Sequence, residues 1–244
     1  MFMDKGELIE LLKHVYEPNI DGNERQRRMG RTKVTLIHSV GHTNSISIFQ
    51  DLYKSQRNIV NTNTFIDRDF IYPYKFMKVR MEQKLPDHKY CEDMVYPLWS
   101  WTSMTDFLNC HFYNPEETPK DDFIVIFKKS LRHILFSDYL SWHTVMNAGW
   151  PNYYDTMTRA EFSEFYNEFH YKHREDVNST FLPMYWDMSI VLQATTWEIK
   201  PSEILTMGIY TSNNGYTDIT GVENEYSEYI NNAISNYKPE CTNE

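Results

Sequence analysis

Strand-like and helix-like patterns are interspersed along this chain, and they do not follow the regular rhythm of β-α-β units. Apolar, β-branched runs at 34–40, 123–127 and 204–210 have the composition of buried strands. Helical spacing of apolar residues is found at 4–16 and again after Pro73, a residue suited to the first turn of a helix. This order predicts an α+β fold, with a single domain whose mixed or antiparallel sheet is flanked by helices.

The chain of 244 residues is long enough to bury a sizeable core, and we expect it to have three parts. Residues 1–32 would form an N-terminal helix and a basic linker, 33–210 the α+β domain, and 211–244 a polar, acidic C-terminal segment. The stretch from Asn23 to Lys33 carries five Arg and Lys residues. A solvated linker is the commoner reading of such a run, and an anion-binding loop for phosphate or nucleic acid is the alternative.

The net charge of −10 argues against non-specific binding to nucleic acid, which needs a basic face to neutralise phosphates. It leaves room for a small local basic patch. The three cysteines form no CxxC pair, and such an odd number of thiols is typical of a reducing compartment. No stretch reaches the length of a membrane span. These features predict a cytoplasmic protein with no membrane partner.

Several elements are predicted from local signals. Thr43 or Asn44 can cap a helix that runs to Val60, and the block from Thr158 to Glu161 is a capping box. Pro97 cannot donate to a β-ladder, so a strand at 95–101 would be an edge strand or carry a bulge. Further predictions follow from composition: a helix capped by Ser137, a mostly helical segment at 181–191, and a short C-terminal helix at 225–234.

The stretch from Leu192 to Ile204 reads as a strand that ends near Pro201 and holds one acid, Glu198, among β-branched and aromatic neighbours. A carboxylate is depleted in strands, and burying it without a partner is costly. Glu198 is therefore either the outward half of an alternating strand, paired with Lys200, or a site residue. Alternation would place it on the face opposite to Trp197.

Two histidines and two tryptophans are the other candidates. His38 lies in the strand at 34–40 and reads as a core histidine or a site residue, and His42 follows the break at Gly41. Trp99 and Trp101 share one face of their strand, where they form either core or a stacking wall for a ligand. The histidine and cysteine spacing predicts no metal site.

Three separated blocks resemble an uncharacterised bacterial and phage family, the domain of unknown function 3841. They run from Tyr96 to Trp101, from Leu135 to Asn147 and from Gln193 to Lys200, and the resemblance spans residues 33–210. The chain lacks the basic Pro-Asp-Leu-Arg block that the family usually carries after its Trp-x-Trp strand. Its high content of Asn, Tyr, Met and Phe is also typical of a phage or low-GC bacterial gene product.

The order of elements also resembles ADP-ribosyltransferases in outline. In that family a strand with His or Arg is followed by a helix, then by a strand with an aromatic or Ser residue, and later by a strand with Glu. The resemblance implies NAD as the cofactor, His38 and Glu198 as catalytic residues, and cofactor binding by Tyr96, Trp99, Trp101 and His42. Glu198 would stabilise the positive charge that develops on the ribose.

Two functions are therefore expected. The first is an NAD-dependent transferase resembling ADP-ribosyltransferases, which modifies a host protein or nucleic acid. The second is a non-catalytic phage or bacterial protein that binds a host factor through an acidic, aromatic surface. The first requires Glu198, His38 and one aromatic ring to converge, and the second requires a contiguous exposed apolar patch.

Overall fold

The longest strand shows why a central sheet forms. Every described side chain from Phe123 to Phe127 is fully buried. The odd-numbered residues of this run pack into one apolar cluster and the even-numbered residues into another, on the opposite face of the sheet. A strand that is covered on both faces is apolar throughout rather than alternating.

The computed structural model describes residues 2–17, 20–39, 58–60, 71–86, 96–111, 121–150, 157–211 and 215–218, and Asn232. The helices in these ranges are α1 (Lys5–Val15), α2 (Gly22–Arg31), α3 (Ile71–Lys84), α4 (Met104–His111), α5 (Tyr139–Met146), α6 (Arg159–Lys172) and α7 (Arg174–Phe181). The strands are β1 (Lys33–Ser39), β2 (Ile59–Val60), β3 (Leu98–Trp101), β4 (Asp121–Ser130), β5 (Leu135–Asp138), β6 (Leu192–Thr196), β7 (Glu198–Ile199), β8 (Ile204–Thr211) and β9 (Gly215–Asp218).

Seven of these strands form one sheet in the order β5-β6-β3-β1-β4-β8-β9, and all neighbouring pairs are antiparallel. The strands β2 and β7 form a separate antiparallel pair. The α+β fold predicted from the sequence, with a single domain and an antiparallel sheet flanked by helices, is confirmed.

Helices cover both faces of the large sheet. The apolar face of α1, which includes Leu8 and Leu12, packs with Met29 of α2 against one face. On the other face, α3, α5, α6 and α7 contribute a second cluster rich in aromatic residues, and α4 contributes to a third. The N-terminal helix is thus part of the main hydrophobic core.

At the β8–β9 edge, one glycine is required by its neighbour. A Cβ atom added to Gly208 would lie 2.1 Å from Cε2 of Tyr216, far inside van der Waals contact. Glycine at this position lets the buried Tyr216 ring lie directly across the neighbouring strand.

Two sequence predictions about strands need correction. Of the two alternatives for the strand at 95–101, the edge strand is wrong, because β3 lies between β1 and β6; the regular strand begins only after Pro97, and Tyr96 before it forms an isolated bridge. Leu192 to Ile204 is not a single strand either. β6 ends at Thr196, Glu198 then pairs with Val60 in the small sheet, and Pro201–Glu203 is a turn of 3-10 helix.

Three further local predictions are also wrong. The basic segment read as a linker contains helix α2, which Asp21 caps by accepting from the amides of Asn23 and Glu24. The segment 181–191 is mostly non-helical, with only a 3-10 turn at Pro183–Tyr185 beyond the end of α7. The cap of α5 is Asp138 rather than Ser137.

Other predictions fall partly or wholly outside the described residues. These include His42, nearly all of the helix predicted to run to Val60, and nearly all of the C-terminal segment. Where the predicted helix does enter the described part, Ile59–Val60 is a strand, so the helix end was wrong. In the described ranges no helix is both long and apolar enough to cross a membrane.

Candidate active site at the end of strand β6

Glu198 lies two residues beyond the end of β6, where the chain leaves the large sheet. It is buried, with only 2% of its surface exposed. The Asn58 side-chain amide donates a hydrogen bond to Oε2, and the Lys200 ammonium lies 3.3 Å from Oε1. A buried carboxylate needs such partners to offset its loss of hydration. The alternative in which Glu198 is a solvent-facing strand residue is wrong, because its side chain is buried, whereas the pairing with Lys200 is found.

The turn that carries Glu198 is held by a buried cation, Lys129 of β4. Its ammonium donates to the Glu198 main-chain carbonyl at 2.8 Å and to Oε2 of Glu203 at 2.8 Å. The same Glu203 oxygen accepts from the Lys200 amide at 2.9 Å, and the Thr196 hydroxyl donates to the Glu198 carbonyl at 3.2 Å. These charge-assisted bonds fix the main chain on both sides of Glu198.

His38 lies on the central strand β1, where its ladder with β3 ends. Its Nδ1 is 2.8 Å from the main-chain carbonyl of Trp99, close to the last paired residues Ile37 and Trp101. Since a carbonyl only accepts, Nδ1 carries the proton, and in the neutral ring Nε2 is then the acceptor. The side chain, which is half-buried, is thus held in one orientation on the sheet.

The predicted aromatic wall has two different environments. Trp101 is buried beside Tyr139, with ring centroids 5.2 Å apart, and Trp99 packs on Trp142 at 5.7 Å. Both indoles therefore belong to packed aromatic pairs. Tyr96 is half-buried and lies two residues before the start of that strand.

A further tyrosine, Tyr74 of α3, joins Tyr96 to Trp99 through edge contacts at 6.4 and 6.2 Å. Burial raises the pKa of Tyr74, and a hydrogen bond with the Trp99 indole partly opposes that rise. Tyr74 therefore stays neutral at physiological pH and supports the Tyr96 ring from helix α3.

The structure brings three of the predicted elements together. Strand β6 leads to Glu198, β3 carries the aromatic block, and β1 carries His38. These three strands are neighbours in the order β6-β3-β1. The described contacts of Glu198 are with Asn58 and the 196–203 turn, whereas His38 contacts Trp99. His42 lies outside the described residues.

The polar residues of the block at 135–147 have structural roles. Both carboxylate oxygens of Asp138 accept main-chain amides of α5, from Leu140 and Ser141. One of them also accepts from Val191 at 3.3 Å, which ties the helix start to β6. Burial lowers the pKa of His143, so its ring is neutral near pH 7 where it packs on Tyr139.

Sequence reasoning missed Asn58, Lys129 and Glu203. A lysine at the end of the apolar run that starts at Phe123 was a usable signal, because β4 is buried on both faces and an inward lysine needs an acceptor there. Asn58 carried no signal, since its contact with Glu198 spans 140 residues. No cluster of three or more His, Cys, Asp or Glu suited to a metal ion occurs in the described part of the chain.

Comparisons with known proteins add no functional argument. No family model matches the chain, and no curated protein matches it. A solved structure named EcPltA is similar to it with a TM-score of 0.28 and 9% identity, over 78% of this chain and 85% of that one. That TM-score is too low to carry any inference about function.

Proposed function

We propose that this protein is an NAD-dependent transferase resembling ADP-ribosyltransferases, which modifies a host macromolecule in the cytoplasm. One observation carries the proposal. The strands that lead to Glu198, Tyr96 and His38 are far apart in sequence, yet they are adjacent in the sheet in the order β6-β3-β1. The fold could have separated them, and adjacency is what a shared site requires.

The reaction breaks the bond between the ribose C1′ and the nicotinamide nitrogen of NAD, which is a substrate here. The electron pair leaves with nicotinamide, and an oxygen or nitrogen nucleophile of the target bonds to C1′ and gives up a proton. Positive charge develops on the ribose during this substitution. A carboxylate already fixed in a dry environment stabilises that charge without reorganising, as carboxylates do in sugar-bond cleavage.

The residues present fit the nicotinamide riboside half of NAD. Glu198 is buried and held on both sides by the Lys129 and Asn58 contacts, so its carboxylate is preorganised. His38, fixed through Nδ1, is suited to orient a ribose hydroxyl through Nε2. Tyr96, two residues before β3 and supported by Tyr74, is the ring best suited to stack on nicotinamide.

Lys200 has a role of its own in this proposal. Its side chain is 45% exposed and long, whereas its partner Glu198 is buried. Because the Lys200 side chain is partly exposed, its ammonium can stay paired with the buried carboxylate and still be reached from solvent. It is then a solvent-accessible cation beside Glu198, suited to contact a phosphate of NAD.

The test is transfer of label from NAD into host lysate by wild type, Glu198→Gln and Glu164→Gln, an exposed acid on α6 that serves as the matched control. We expect label to be incorporated by wild type and the control, and to fall by about 100-fold or more in Glu198→Gln, because the lost carboxylate acts on developing charge. Equal labelling by wild type and Glu198→Gln would remove Glu198 from the mechanism.

A second candidate, a non-catalytic interaction protein, is favoured by one surface. Met184, Tyr185 and Met188 are each more than half exposed, beside the exposed acid Asp187. Exposed large apolar side chains grouped in one segment are typical of interaction sites. In this case Tyr185→Lys would abolish binding to a host factor, whereas Glu198→Gln would bind as wild type does in a cross-linking assay.

A further inference from the structure

Arg80 and Lys84 lie one turn apart on the same face of α3, as residues at positions i and i+4 do. The Arg80 guanidinium sits over the Phe181 ring of α7, with its carbon 5.1 Å from the ring centroid. One turn along, the Tyr166 hydroxyl of α6 donates to the Gln83 side chain at 3.2 Å. These contacts fix this face of α3 against α6 and α7.

Arg25 of α2 brings a third cation to the same place. Its Nη2 donates to the main-chain carbonyl of Glu17 at 2.8 Å, which fixes the side chain beside the end of α1. Burial, and then the charges of Arg80 and Arg25, lower the pKa of Lys84. Arg80 and Arg25, which belong to two different helices, therefore both lie near enough to Lys84 for their charges to repel its ammonium.

The cluster continues on the α6–α7 side. Burial, and then the charges of Arg80 and Arg174, lower the pKa of His170, which stands one turn after Tyr166. The guanidinium Nε atoms of Arg25 and Arg80 are both buried, and neither makes a hydrogen bond. A buried donor without an acceptor is costly, so these two atoms have an unmet need for an acceptor.

In the part of the chain that the structure describes, no carboxylate compensates this charge. Among the described residues, none lies within ion-pair distance of Arg25, Arg80 or Lys84, although the described part of α1 and α2 holds several acid–base pairs. The neighbouring acids have other partners: the Glu17 carboxylate is 3.4 Å from His14, and Asp176 is 3.6 Å from His173. In a chain with a net charge of −10, this is a marked local reversal.

We propose that Arg25, Arg80 and Lys84 form a binding site for a phosphate-bearing anion, with His170 and Arg174 at its edge. The site is independent of the transferase proposal. A guanidinium matches two phosphate oxygens at once, and two of them with an ammonium suit a pyrophosphate or successive phosphodiesters. By turning toward a bound phosphate, the two guanidinium groups gain the acceptor that their buried Nε atoms lack, and the phosphate offsets the repulsion that acts on Lys84.

The test measures binding of inorganic pyrophosphate and of a single-stranded oligonucleotide, by calorimetry at low salt. The variants are Arg80→Lys, which keeps the charge but loses the fork of donors, and Lys84→Met. The control is Lys128→Met, which removes an exposed cation of β4. Circular dichroism confirms that each variant is folded.

We expect wild type and Lys128→Met to bind alike, and Arg80→Lys and Lys84→Met to bind about tenfold or more weakly, as the loss of a charge-assisted bond predicts. If the natural ligand is a nucleic acid, the oligonucleotide binds more tightly than pyrophosphate. The slope of log binding constant against log salt concentration is then about −2 for three phosphate contacts. If it is a small ligand, pyrophosphate binds at least as well. Absence of binding by both probes, or equal binding by all variants, would overturn the proposal.

Discussion

Two clusters of charged residues differ in whether their charges have partners within the protein. Around Glu198, the buried cation Lys129 has an anionic partner and a carbonyl partner, and Glu198 itself has an amide and an ammonium. On helices α2 and α3, by contrast, the charges of Arg80 and Arg25 both act on Lys84. The first cluster is compensated inside the molecule and holds the turn. The second has no carboxylate partner among the described residues, which is the arrangement expected of a site that an external anion completes.

The largest expected effect on stability comes from breaking the compensated cluster. Lys129→Met removes the buried cation that donates to both the Glu203 carboxylate and the Glu198 carbonyl, and we expect it to cost about 3 kcal/mol of unfolding free energy. Urea denaturation measures this value. Lys128→Met, on the same strand but exposed, serves as the control and should change stability by less than about 0.5 kcal/mol. Similar losses of unfolding free energy in both variants would mean that the buried contacts of Lys129 do not stabilise the protein.

If Lys129→Met is folded at low temperature, it also tests positioning. Because Lys129 acts on the main chain of Glu198, we expect kcat for NAD cleavage to fall by about tenfold or more with KM nearly unchanged. Placed in the Glu198→Gln background, Lys129→Met should reduce kcat no further, since the group it positions is already gone. A full additional loss there would assign Lys129 a role separate from Glu198.

A smaller loss of stability is expected from breaking an exposed pair of residues that satisfy each other's hydrogen bonds. Thr158 and Glu161 cap helix α6 reciprocally, and Thr158→Ala should cost about 1 kcal/mol. The Thr158 hydroxyl and amide hold the pKa of Glu161 below its usual value. The stability that these hydrogen bonds to the Glu161 carboxylate contribute is therefore present above the usual glutamate pKa. It is lost as the pH falls through the lowered pKa of Glu161. Urea midpoints at pH 7 and pH 3 should show a wild-type advantage over Thr158→Ala that shrinks in acid.

The smallest expected effect on stability is a gain rather than a loss. Removing one cation from the uncompensated cluster relieves a like-charge pair at i and i+4, so Lys84→Met should stabilise the protein by about 0.3 kcal/mol. Raising the ionic strength should shrink this gain, because salt screens exposed charges. A loss of stability comparable to that of Lys129→Met would show that Lys84 has a structural partner and would undo the contrast between the clusters.

The sequence predicted the parts of the fold that depend on local patterns. The strand at β1, the apolar strand inside β4, the first helix and the capping box at Thr158 each follow from periodicity or from a short capping signal. The α+β class followed from their order along the chain.

The candidate site was less predictable, because long-range contacts decide it. The chain leaves the large sheet at Trp197, one residue before Glu198. The Trp197 ring is buried among the helices, and no local signal in the sequence marks that break. The pairing of Glu198 with Val60 joins distant segments. The edge-strand alternative for Pro97 failed for a similar reason: Pro97 stands just outside a central strand, so the missing amide donor does not exclude an interior position for Leu98 to Trp101.

The account rests most directly on whether Glu198 performs chemistry. Release of nicotinamide from NAD by the purified protein measures this without requiring the natural target, with water as the acceptor. We predict release by wild type and by Glu164→Gln, and a rate at least about 100-fold lower in Glu198→Gln at an unchanged KM. Release at the same rate by Glu198→Gln, or none by a folded wild-type protein that binds NAD, would contradict it.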